Sequence, residues 1–88
     1  MVSWRVVLSR QACKDARNLN SAGLRDRAER LLKLIEVNPY APSPPYEKLV
    51  GDLAGLLSRR INRQHRLVSR VLQDSRTVHV LRMWTHYE

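Results

Sequence analysis

The chain has 88 residues, 43% of them hydrophobic, with a formal net charge of +8 and a single cysteine. That length accommodates one small domain around one modest core, and that hydrophobic share excludes a disordered tail. Cys13 alone cannot form an internal disulfide, and no run of about 18 apolar residues is present to span a bilayer; a soluble, cytoplasmic protein with a polyanionic partner, nucleic acid or acidic protein, is the expectation.

Trp4, Val6 and Leu8 alternate with Arg5 and Val7, which predicts a strand over 4–8. Ser9 is a candidate N-cap for a helix over 10–19, with Ala12, Ala16 and Leu19 as its narrow apolar stripe. Residues 20–23 break the chain. A stronger helix follows over 24–37, where Leu24, Ala28, Leu31, Leu32 and Ile35 recur at three and four residues and share one face. It ends ahead of Pro39, because the residue before a proline avoids helical angles. Four prolines between 39 and 45 stiffen the connector that leads to Tyr46-Glu47-Lys48-Leu49, and Gly51 and Gly55 let the backbone bend beyond it.

Three strands complete the chain. The first covers 56–61, with Leu57 and Ile61 either side of Arg59. After the polar turn Asn62-Arg63-Gln64, the second covers 65–72 and is apolar on both sides, as a central strand would be. A turn at 73–76 leads to the last strand over 77–84, with Val78, Val80 and Trp84 on one face and Leu81 and Met83 on the other. The order β-α-α-β-β-β predicts an α+β domain, two N-terminal helices packed on one face of a twisted antiparallel sheet. The other face is expected to remain a concave, basic surface.

Arg59, Arg60, Arg63 and Arg66 sit on or beside the central strands. An arginine held by a sheet keeps its planar fork aimed, and that fork matches a phosphate bidentately. The alternative is that these arginines coat a solvated face. His65, at a strand start, reads as a structural hydrogen bonder, His79 as a packed or edge histidine, and Trp4 and Trp84 as core or dimer contacts rather than base-stacking platforms. No spacing of histidine and cysteine suggests a metal site.

The run Leu53-Ala54-Gly55-Leu56-Leu57-Ser58-Arg59-Arg60-Ile61, followed by His65-Arg66-Leu67-Val68, closely resembles the signature of the YoeB/Txe toxins of the RelE superfamily. A Glu-x-Leu at Glu47 to Leu49 and a C-terminal His86-Tyr87 pair extend the resemblance. It implies a RelE-like, microbial-RNase-like domain and a toxin that cleaves mRNA in the A site of the 30S subunit, without metal or cofactor. The implied partners are ribosome-bound mRNA with its rRNA surroundings, a YefM-like antitoxin with an acidic C-terminal segment, and a second copy of the chain; no membrane is implied. The implied roles are Glu47 as general base, Arg66 as phosphate stabiliser and His86 as general acid, with Tyr87 beside it. Arg60 and Arg59 are expected to contact substrate phosphate, and Tyr87 to stack on a base or orient the phosphate. The family's lysine-proline-glutamate-proline-leucine run is Pro45-Tyr46-Glu47-Lys48-Leu49 here, its tyrosine after His-Arg-Leu-Val is Ser69, and Glu88 is an extra terminal residue. Two other readings stand beside this one: a non-enzymatic toxin of the same fold that inhibits gyrase, as ParE-like relatives do, and a plain basic RNA-binding domain.

Overall fold

The structure, a computed structural model, describes residues 3–84. Strand β1 (Arg5–Leu8) is followed by helices α1 (Arg10–Ser21) and α2 (Arg25–Val37), a short strand β2 (Tyr46–Lys48), a single 3-10 turn (Gly51–Leu53), and strands β3 (Leu56–Arg60), β4 (Arg66–Leu72) and β5 (Thr77–Arg82). The strands form one sheet in the order β1-β5-β4-β3-β2.

Local chemistry sets the element boundaries. The Ser9 hydroxyl accepts from the Ala12 amide at 3.0 Å and donates to the Leu81 carbonyl at 2.8 Å, so the cap that starts α1 also ties it to β5. Helix α1 runs two residues beyond the expected end and stops where Gly23 takes a φ of 77°, with the Leu24 amide donating back to the Leu19 carbonyl. Asn38 is extended ahead of Pro39 and closes α2. The helical stripes pack on the sheet through Ala12, Leu19, Ala28, Leu31 and Ile35, which meet Ile61, Leu67, Val78, Val80 and Met83 in one core.

The α+β architecture, with its helical pair and three consecutive antiparallel strands, is the one the element order predicts. Two features differ from that expectation. The sheet is mixed, because β1 runs parallel to β5, with Val6 beside Val78 and Leu8 beside Val80. A fifth strand, β2, lies at the opposite edge, where Glu47 pairs with Ser58 of β3. Strand β5 also stops at Arg82, because the Met83 amide leaves the ladder and donates to the Asp15 carboxylate at 3.0 Å. Met83 therefore turns into the core beside Val78 and Val80 instead of sharing a face with Leu81.

Strand β4 is central, and Leu67 and Val68 on its two faces are both fully buried. On the face away from the helices, Ser58 is buried as well. At the end of the sheet where β2, β3 and β4 meet, Arg60 and Arg66 stand on that face, while Arg70 is exposed farther along β4.

Candidate active site

At that end of the sheet, register determines which side chains face one another. Glu47 on β2 lies opposite Ser58 on β3, and Arg60 on β3 lies opposite Arg66 on β4. Two like charges directly across a ladder repel, so this pair calls for an anion. Glu47 supplies part of it: its Oε1 is 3.8 Å from Arg66 Nη1. The Glu47 side chain is 68% exposed and that of Arg66 19%, so the cation is fixed in the wall of the site while the carboxylate reaches into solvent.

These residues line a groove of about 560 Å³. Arg27 of α2 and Arg63 of the β3–β4 turn face into it as well, and Pro44 and Pro45 form a wall. Asn62 keeps the turn in place, its Oδ1 accepting from the amides of Gln64 at 2.9 Å and His65 at 2.7 Å. Among the described residues, Arg27, Arg60 and Arg63 are in no ion pair. Four guanidinium groups around one carboxylate give the groove the charge and donor geometry that a phosphate would accept.

Arg59 belongs elsewhere, and the expectation that it binds substrate phosphate is corrected here. Its side chain points to the helix side of the sheet, where it is 2% exposed. Nη1 donates to the Pro44 carbonyl at 2.5 Å, and Nη2 donates to the carbonyls of Pro39 and Ala41 at 3.0 and 2.8 Å. The guanidinium also lies 4.9 Å from the centre of the Tyr46 ring. Burial pushes its pKa down, with Tyr46 acting in the opposite sense. A guanidinium committed to three carbonyls has no fork left for a phosphate.

Of the other site residues read from sequence, Glu47, Arg60 and Arg66 come together in the groove. His86 and Tyr87 lie outside the described residues. His65 is buried and stacks on Trp84, ring centroids 3.7 Å apart and planes at 16°. Arg27 was not legible as a groove residue, because nothing in a helix's own periodicity says which loop its polar edge will face. Ser58 hides in the signature run. Its hydroxyl is buried at the groove, opposite Glu47, and has no hydrogen-bond partner among the described residues. Asp15 of α1 is 1% exposed and accepts from Arg82 Nε at 2.9 Å, the Met83 amide and Gln11 Nε2 at 3.1 Å.

Comparison with known proteins adds a family. Residues 11–87 match the model of the YoeB-like toxin of bacterial type II toxin–antitoxin systems. A YoeB/ParE toxin from Agrobacterium tumefaciens superposes with a TM-score of 0.84 at 28% identity, covering 94% of this chain and 99% of that one. The chain is also similar to the toxin of a YoeB–YefM complex from Staphylococcus aureus, with a TM-score of 0.78 at 31% identity, 96% of this chain and 98% of that one being covered. A YoeB dimer from the same organism gives a TM-score of 0.79 at the same identity and coverage. Comparison with curated protein sequences gives no match.

Proposed function

The chain belongs to the YoeB-like toxin family of bacterial type II toxin–antitoxin systems, and on that premise we propose that it is an endoribonuclease that cuts mRNA in the ribosomal A site and so stops translation. RNA carries its own nucleophile. The ribose 2′-oxygen attacks the adjacent phosphorus, the bond to the 5′-oxygen breaks, and a 2′,3′-cyclic phosphate and a 5′-hydroxyl remain. A protein accelerates this with a base for the 2′-proton, cations for the charge that grows on the phosphorane, and an acid for the departing oxygen. Glu47 takes the 2′-proton, Arg66 and Arg60 hold the non-bridging oxygens, and His86 protonates the 5′-oxygen. Tyr87 stacks on a base.

The observation that carries this reading is the Glu47–Arg66 pair in a groove that holds a second arginine directly across the ladder. At 3.8 Å the pair is too long for a strong hydrogen bond, which leaves the carboxylate able to accept a proton from substrate. The same cationic groove suits the acidic segment of a YefM-like antitoxin, which would neutralise the toxin by occupying it. The complex and the dimer seen for the Staphylococcus aureus proteins support an antitoxin partner and a homodimer for this chain.

The description of one neighbour as a YoeB/ParE toxin favours a second reading, inhibition of gyrase through protein contact alone. Inducible expression separates the two. Glu47→Ala, Arg66→Ala and His86→Ala, each folded, relieve growth arrest if the chain is a nuclease. Undiminished toxicity in all three contradicts catalysis and favours the contact inhibitor.

A further inference from the structure

Glu47 has an aiming problem. Its carboxylate is mostly exposed, and Arg66 at 3.8 Å is its one ionic neighbour among the described residues. It sits on a strand of three residues at the sheet edge, paired on one side. Such a strand has too few ladder bonds to define its own place, so the aim of Glu47 is inherited from the segment that delivers the chain into β2. That segment is the proline-rich connector, and one side chain organises it.

Arg59 reaches carbonyls at both ends of the connector, those of Pro39 and Ala41 with one nitrogen and that of Pro44 with the other. Its guanidinium lies over the ring of Tyr46, its own cross-strand partner and the residue before Glu47. The Arg59 side chain therefore grips the helix side of the edge, while Glu47 projects from the groove side of the same strand. No carboxylate pairs with this buried cation among the described residues. A buried charge without an anion is a poor stabiliser. Its presence is explained by its geometry, because no other side chain carries a rigid planar fork of five donors.

We propose that Arg59 is a positioning residue for Glu47, a buried clamp on the 39–44 connector that holds β2 in register and aims the general base at the phosphate site. This rests on the nuclease reading for its kinetic consequence and on the fold alone for its structural one. Arg59→Lys keeps the charge but replaces the fork with a single point of donation, and Arg59→Met removes both.

The test uses the full chain, with folding checked by thermal melts. In a purified translation system, Arg59→Lys should lower the single-turnover cleavage rate about 10- to 100-fold, the loss expected when a catalytic group is misplaced by an ångström. The toxin concentration at half-saturation should stay within about twofold, since the groove arginines are untouched. In a Glu47→Ala background the same change should cost less than about twofold more, because nothing remains to be aimed. Amide exchange should accelerate at Glu47 and Leu49, whose amides face β3, in both Arg59 variants, with β4 unaffected. A folded Arg59→Lys protein with wild-type cleavage, or with the same loss in both backgrounds, overturns the assignment. If the wild type cuts nothing, the nuclease reading fails by itself. Exchange then decides the clamp, and unchanged exchange at β2 in Arg59→Met overturns it.

Discussion

Asp15 shows how a single residue can matter without touching the groove. Its burial alone would raise its pKa. The Met83 amide, Arg82 and Gln11 outweigh that and hold the carboxyl below its ordinary value. The folded pKa thus lies below the unfolded one, so ionised Asp15 stabilises the protein above the free carboxyl value near ~3.9, and that stability drains away as pH falls through the folded value. Asp15→Ala leaves a buried amide without its acceptor and should cost about 2–3 kcal/mol at neutral pH. Urea melts should show the gap to wild type narrowing as the solution is acidified; a gap independent of pH would contradict an ionised Asp15. Ser58 is the converse case. A buried hydroxyl without a partner among the described residues is a cost, so Ser58→Ala should leave the melting temperature unchanged or raise it. A clear drop would mean that the hydroxyl is satisfied after all.

Among the elements, the edge of the sheet carries the conflict between stability and function. Arg60 and Arg66 face one another on β3 and β4, and Arg60→Gln should gain a few tenths, about 0.2–0.5 kcal/mol, by removing like-charge repulsion. It should weaken RNA binding at the same time, as measured by parallel melts and filter binding. Equal stability and equal binding would contradict an anion-receptive pair. The turn between the helices gives a separate test of local geometry. Gly23 holds a φ of 77° with open space around its missing Cβ, so Gly23→Ala should cost about 1–2 kcal/mol from backbone strain alone. The helices and central strands were legible because their periods run over many residues, and the Ser9 cap because its chemistry is local. Strand β2 was not legible, because three residues hold no period. The parallel pairing of β1 with β5 was hidden too, since strand direction follows from connections across the whole chain. Arg59 and Arg60 read alike as signature arginines, and only alternation across β3 sends one to the core side and the other to the groove.

For the molecule as a whole, the charge of +8 is unevenly spent. Four arginines converge on the groove beside a single carboxylate, while Arg59 is consumed by the connector. A charge of +8 predicts a polyanionic partner, and the fold gathers Arg27, Arg60, Arg63 and Arg66 around one groove. If all four groove arginines meet phosphates of a single strand, log K for RNA should fall with log salt at a slope of about −3, and Arg63→Gln should flatten it by about 0.7. An unaltered slope in that variant would remove Arg63 from the interface.

The central claim is that Glu47 and Arg66 form the working pair of a ribosome-dependent nuclease. Primer extension on an mRNA in a purified translation system, with wild type, Glu47→Ala and Arg66→Ala side by side, tests it most directly. The account predicts discrete cuts at ribosome-occupied codons with wild type, and cuts reduced at least about 100-fold in both folded variants. Cuts of equal strength in either variant, or translation that proceeds with intact mRNA in the presence of wild type, would contradict it.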